Sequence, residues 1–141
     1  MTANNRQVAG NHYRTQYQHW DFAWNCRLNY FAGQITKYLS RHTTKKGLED
    51  VQKAIHFIEK YSELLRTAKE DGYHPVNLHV LNTNLVAYFG YNPHLGELER
   101  QIITRVTLPH AVSGLSSCVL QAQMIADSYA KAGAADGTIE P

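Results

Sequence analysis

A stripe of residues near the start of the chain offers its most distinctive chemistry. Its members are four positions apart, so on a helix they lie along one line: Asn29, Gly33, Lys37 and Arg41. A glycine inside a helix costs about 1 kcal/mol relative to alanine, and the close approach of a ligand or of another helix can justify that cost. The stripe could therefore bind an anion between Lys37 and Arg41, although a pair of cations one turn apart is also typical of an ordinary solvated surface.

The residues after this stripe bring more charge to the same end of the helix. They are three further cations and one carboxylate: Lys45, Lys46, Lys53 and Asp50. Converging cations repel one another unless an anion lies between them, and the first-turn amides of a second helix are donors suited to phosphate. Tyr38 and His42 add a stacking ring and a titratable donor. The pattern indicates either a phosphate site or a basic surface.

Two predicted helices position these residues. Apolar residues recur at helical spacing, with no proline, from about His19 to His42, which predicts one helix of about six turns. A second helix begins near Leu48, with acidic residues in its first turn, and continues to about Lys69. A short connection between two long amphipathic helices predicts a long antiparallel helical hairpin over 19–69.

The rest of the chain predicts three more helices. Residues 76–89 show both alternating and helical apolar spacing, and we interpret them as helix. Apolar spacing predicts a fourth helix over 95–106, and Pro109 is typical of the first position of a fifth, which ends near Ala132. The predicted fold class is all-α, with about five helices in a single domain over 1–132, including C-terminal helices over 76–132, and a disordered tail over 133–141. Broadly apolar helices favour a homo-oligomer.

Composition narrows the class of protein. The chain has 141 residues, of which 43% are hydrophobic and 18% charged, as expected for one globular domain. No apolar run approaches the roughly 20 residues of a membrane span, and the start lacks the apolar core of a signal peptide. Two widely spaced cysteines favour a reducing cytoplasm. Residues 1–46 hold seven Lys or Arg against one Asp, yet the net charge of +2 argues against general nucleic-acid binding.

Common catalytic and metal motifs do not occur in the sequence. It has no Walker phosphate loop, no GxGxxG, no HExxH and no GxSxG, and its eight histidines show no ligand spacing. The nearest candidates for a magnesium site are the carboxylates of Glu49 and Asp50 and of Glu59 and Glu63, pairs that are common on solvated helices. The sequence therefore predicts no resident metal or cofactor and no catalytic residue.

The segment from Gly33 to Ala54 resembles the signature of a small phage-encoded family. The shared pattern is a Lys-Tyr, an Arg, a Lys-Gly turn, and a Glu-Asp followed by Lys-Ala, with His12-Tyr13 upstream. Gln34 stands where the family has asparagine, and the resemblance covers about residues 11–65. The family is mostly of unknown function and includes the nucleotide kinase of T-odd podophages, which lacks a Walker loop. The resemblance implies a phage protein that handles nucleotides in the cytoplasm of an infected bacterium.

Many cations and few carboxylates favour binding over phosphoryl transfer, which leans on Mg²⁺. The leading hypothesis is a phage protein that sequesters a host immune nucleotide signal without turnover. The predicted nucleotide-binding residues are His12, Tyr13, Trp20, Gly33, Lys37, Tyr38, Arg41, His42, Lys45, Lys46, Asp50 and Lys53. In this hypothesis the Lys and Arg side chains hold phosphates, an aromatic ring stacks a base, and Asp50 orients a cation or a ribose hydroxyl.

Two alternatives belong to other classes. The first is a nucleoside monophosphate kinase, which uses ATP and a Mg²⁺ ion held by Asp50. The second is a nucleic-acid or host-protein binding module, which a steep salt dependence of duplex binding would support.

Overall fold

The computed structural model describes residues 17–68, 76–108 and 112–136. In these ranges the chain forms six helices and no strand: α1 (His19–Asn25), α2 (Tyr30–Arg41), α3 (Leu48–Ala68), α4 (Leu78–Tyr91), α5 (Glu97–Thr107) and α6 (Val112–Asp136). The predicted all-α class is confirmed. Within the same ranges no helix has the length and apolar character needed to span a bilayer. His12, Tyr13 and Pro109 lie outside the described residues.

The prediction of one helix over 19–42 is wrong, because the chain breaks between α1 and α2. Arg27 adopts a left-handed conformation, with φ of 50°. Asn29 then accepts a hydrogen bond on its side-chain oxygen from the backbone N–H of Ala32, at 2.9 Å, and so caps α2. Asn29 is therefore a helix cap and not a member of a continuous stripe. Apolar spacing continues through the break, which is why periodicity alone did not reveal it.

The later helices agree with the helical interpretation of the C-terminal half. Asn77 caps α4 with a hydrogen bond from the backbone N–H of Val80 at 2.9 Å, so the ambiguous segment is a helix. α6 continues to Asp136, four residues past the predicted end at Ala132. Residues 137–141 of the predicted tail lie outside the described part of the chain.

The core lies between α2, α3, α5 and α6, with α1 packed on α4. Its fully buried side chains include Ile35, Leu39, Val51, Ile58, Ile102 and Leu115. Along α2 and α3, Arg41 pairs with Asp50, Tyr38 with Phe57, and Phe31 with Tyr61. These pairs occur in opposite order on the two helices, so the C-terminal end of α2 lies beside the first turns of α3. The predicted cations of both helices therefore come together.

Both cysteines are buried and neither forms a disulfide. Burial raises the pKa of Cys26 to about 12 and that of Cys118 to about 11. Both thiols are therefore protonated at neutral pH and are poor nucleophiles. They serve as small apolar core residues.

Candidate ligand-binding cleft

A cleft of about 210 Å³ opens where the beginning of α1, the C-terminal half of α2 and the C-terminal end of α4 meet. Its lining combines cations, rings, hydroxyl groups and amides: Tyr17, Gln18, His19, Lys37, Ser40, Arg41, Thr44, Tyr88, Tyr91, Asn92 and His94. Two of these residues, Lys37 and Arg41, were predicted from the sequence. The lining comes from the start of α1, from α2 and the connection after it, and from the end of α4 and the turn that follows it.

The cations of the cleft differ in how they are neutralised. Arg41 donates to Asp50 Oδ1 from Nη2 at 3.2 Å and from Nε at 3.3 Å. Lys37 is exposed, and no carboxylate of the described residues lies within ion-pair distance of its Nζ. An ammonium group beside a cleft, without a neutralising partner, attracts anions. Lys37 is therefore the main source of positive potential in the cleft.

Aromatic rings form one wall of the cleft. The rings of Tyr17 and Tyr91 are stacked, with centroids 5.8 Å apart and an angle of 19° between their planes. The Tyr17 hydroxyl donates to Asn84 Oδ1, which fixes the ring against α4. Burial raises the pKa of Tyr17 to about 12, so this hydroxyl stays protonated. Tyr91 is 49% exposed and so offers a ring surface on which a planar group can stack.

Two histidines line the cleft and are held by hydrogen bonds to α2. His94 Nε2 donates to the carbonyl of Ser40 at 2.8 Å. His19 Nε2 lies 2.7 Å from the hydroxyl of Thr36, which itself donates to the carbonyl of Ala32, so Nε2 is the donor of this bond. Burial, and then the charge of Lys37, lowers the pKa of His19 to about 4. His19 is therefore neutral at pH 7 and adds no positive charge.

The two cations of the cleft, together with Lys53, also surround the ring of Tyr38, on the side of α2 that faces α3. The Tyr38 ring stacks on Phe57, with centroids 5.9 Å apart. The Lys37 ammonium lies 6.0 Å from the ring centroid, the Arg41 guanidinium carbon 4.7 Å and the Lys53 ammonium 5.4 Å. These distances are within the range of cation–π attraction. The structure thus brings three predicted cations together around the ring of a fourth predicted residue, Tyr38.

Asp50 holds the central cation of this group, Arg41, through an ion pair. Its side chain is fully buried, with Oδ1 accepting from Arg41 and Oδ2 accepting from the backbone N–H of Lys46 at 3.0 Å. Both oxygens are used within the protein. Asp50 therefore fixes the Arg41 guanidinium and the entry into α3, and it does not face the cleft as a ligand for a cation or a ribose hydroxyl.

Other predicted site residues lie elsewhere. Trp20 is 52% exposed on α1 and does not line the cleft. A Cβ atom at Gly33 would meet no heavy atom within 4 Å, so no helix of the described chain makes the expected close approach there. Lys45 and Lys46 are exposed in the connection between α2 and α3. Gly33 lies one turn before Lys37 on α2, and Lys45 and Lys46 follow the end of that helix, but none of these four predicted residues lines the cleft.

His42 belongs to a separate buried network. Its Nε2 lies 3.0 Å from a carboxylate oxygen of Glu99, and its Nδ1 lies 2.6 Å from the Tyr129 hydroxyl. This network ties the end of α2 to α5 and α6. His42 is therefore a structural residue. It was predicted to be a titratable donor beside a bound phosphate, but α5 and α6 cover its side chain, so it does not face the cleft.

The His42–Glu99 contact predicts that the protein loses stability at acidic pH. Burial alone would raise the pKa of Glu99, but hydrogen bonds from His42 and from backbone N–H groups hold it below its usual value. A carboxyl whose pKa is lowered on folding stabilises the protein above its unfolded pKa, and this contribution is lost as the pH falls through the folded pKa. We expect the free energy of unfolding to fall below about pH 4.5 more steeply in the wild type than in Glu99→Gln, measured by urea denaturation.

The matched control for this prediction is Glu97→Gln, because Glu97 is an exposed carboxylate in the first turn of the same helix. Its pH profile should follow that of the wild type. Equal acid sensitivity of Glu99→Gln and the wild type would contradict the assigned role of Glu99.

The rings and histidines of the aromatic wall were not predicted from the sequence. Tyr17 and His19 flank the start of α1, whereas Tyr88, Tyr91 and His94 come from the end of α4 and the turn after it. The signal in the sequence was the group of rings and histidines at the end of α4 and in the turn after it. Only the packing of α1 on α4 brings this group next to Tyr17 and His19.

Comparisons of the chain with protein-family models, with curated proteins and with solved structures find no match. In the described ranges, no group of three or more His, Cys, Asp or Glu side chains is arranged to hold a metal ion. The fold and the cleft define a helical protein with a basic, aromatic-walled cleft.

Proposed function

We propose that the protein binds a nucleotide in this cleft, through a phosphate and the base, and holds it without turnover. The observation that carries the proposal is that Lys37, without a carboxylate partner, lines the same cleft as the exposed ring of Tyr91. Lys and Arg are the side chains that recognise phosphate, and an aromatic ring stacks on any base. A cleft that served only for an inorganic anion would need the cations but not the ring.

The resemblance to a phage-encoded family and the chemistry of the cleft together support a proposal for the ligand class. A protein that binds a nucleotide and leaves it intact can act by removing that nucleotide from solution. We therefore propose a nucleotide signal of host immunity as the ligand and the cytoplasm of the infected bacterium as the place of action. We also propose a homo-oligomer, supported by Leu120 and Met124, which are exposed one turn apart on α6.

Nucleoside monophosphate kinase activity is the weaker candidate. Phosphoryl transfer relies on Mg²⁺, which the protein or the substrate holds, and on cations around the transferred group. Asp50 is the residue that the kinase hypothesis assigned to the metal, but its oxygens are buried and already accept from Arg41 and Lys46. Using Asp50 as a metal ligand would break the contacts that fix Arg41, so the geometry favours binding.

The proposal predicts that Tyr91→Ala weakens nucleotide binding. Base stacking on an aromatic ring is worth about 1–3 kcal/mol by alanine substitution, so we expect a loss of about 10-fold in affinity. Isothermal titration calorimetry with the common nucleoside mono-, di- and triphosphates and with cyclic nucleotides would measure it. Tyr91→Phe should retain the affinity.

Tyr30→Ala is the matched control, because Tyr30 is 64% exposed on α2 and does not line the cleft. Its affinity should equal that of the wild type. A wild-type protein that binds none of these nucleotides would refute the proposed function, and a Tyr91→Ala protein with full affinity would refute the role of the ring.

A further inference from the structure

The cleft is smaller than a whole nucleotide site, and its cations continue beyond it. Ligand pockets are typically about 300–1,000 Å³, whereas this cleft has about 210 Å³. Lys37 and Arg41 line it, and the same two side chains also lie against Tyr38 on the side of α2 that faces α3. They form a cationic ridge between the cleft and the Tyr38 ring.

Lys53 lies on the far side of this ridge. Its ammonium group is 5.4 Å from the Tyr38 centroid, yet Lys53 does not line the cleft. No carboxylate of the described residues forms an ion pair with it. The ridge and its flank thus hold three cations, Lys37, Arg41 and Lys53, with Asp50 bound to the central one.

The Tyr38 ring holds these cations close together without using their hydrogen-bond donors. Attraction between a cation and a ring at an exposed site is weak and involves only the ring face. A lysine ammonium has three N–H donors, and contact with a ring leaves them available to an oxygen ligand. The arrangement therefore places positive charges next to one another with donors that a chain of phosphates can use.

We propose that the ligand is a nucleoside with a chain of at least two phosphates, an inference that rests on the proposed function. The base lies in the cleft against Tyr91, the first phosphate binds Lys37 and Arg41 on the ridge, and the terminal phosphate binds Lys53 beside Tyr38. A nucleoside monophosphate reaches only the ridge. Lys53 therefore determines the preference for the longer phosphate chain.

The test compares phosphate-chain length in the wild type and in Lys53→Ala. Isothermal titration calorimetry would use the 5′-mono-, di- and triphosphates of adenosine, guanosine, cytidine and uridine. We expect the wild type to bind the di- or triphosphate of its preferred nucleoside about 10-fold more tightly than the monophosphate, as a charge-assisted contact to phosphate provides. In Lys53→Ala this preference should disappear, with the affinity for the monophosphate unchanged within about two-fold.

Lys60→Ala is the matched control, since Lys60 is an exposed lysine of the same helix, near an exposed Glu63, and lines no part of the cleft. It should keep the wild-type preference. Equal affinity of the wild type for mono- and diphosphate, or an equal loss for both in Lys53→Ala, overturns the inference while nucleotide binding stands. Failure of every nucleotide to bind the wild type overturns the proposed function and the inference together.

Discussion

Lys37→Ala should weaken nucleotide binding by about 10- to 100-fold and leave the stability of the fold almost unchanged. Hydrogen bonds to charged groups contribute about 1.5–3 kcal/mol, which corresponds to this range of affinity. Lys37 is exposed and has no ion pair with a carboxylate of the described chain, so its removal costs the folded protein little. Calorimetric titration would give the affinity, and urea denaturation would give the free energy of unfolding.

Lys60→Ala again supplies the control, because it makes the same change of residue and charge on a helix surface away from the cleft. Lys37→Arg should retain most of the affinity, since the positive charge stays in place. If Lys37→Ala binds the best wild-type nucleotide as tightly as the wild type does, the cleft is not the phosphate site.

Arg41→Ala should have the largest effect on stability, a loss of about 3 kcal/mol in the free energy of unfolding. The reason is Asp50, whose fully buried carboxylate would keep only the backbone N–H of Lys46 as a partner. Breaking a buried ion pair by removing one partner leaves an uncompensated charge. For a chain of this length the loss corresponds to a fall of about 10 °C in Tm, which differential scanning calorimetry would detect.

A double-mutant cycle separates the ion pair from the other contacts of Arg41. Arg41→Ala/Asp50→Ala should be more stable than the sum of the two single changes predicts, because it removes the buried charge with its partner. Additive losses would contradict the pairing. Because of this structural role, a loss of binding in Arg41→Ala is informative only at a temperature where the variant is folded.

The helices of the chain could largely be predicted because they bury regular apolar faces. α3 and α5 have clear helical spacing, and the structure gives both near their predicted limits. The break before α2 could not be found in this way, because the apolar pattern is the same on both sides of it. It depends on the side chain of Asn29, which caps α2 only once the chain has turned at Arg27.

The candidate site could be predicted only where it is local in the sequence. Lys37, Arg41 and Lys53 come together because two consecutive helices pack side by side, which their spacing indicates. His42 has the same apparent position, yet Glu99 and Tyr129 bind it from distant helices. Contacts between residues far apart in the chain decided which side chains are buried and which face the cleft, and Tyr91 entered the site for the same reason.

Mass spectrometry of a mixture of the protein, Mg²⁺, ATP and a panel of linear and cyclic nucleotides tests the central claim most directly. The free solution and the material released by heating the protein would be analysed separately. The account predicts that one nucleotide is depleted from solution, in an amount limited by the protein, and is recovered intact on heating. Formation of a new di- or triphosphate well beyond the protein concentration would contradict it and establish a kinase.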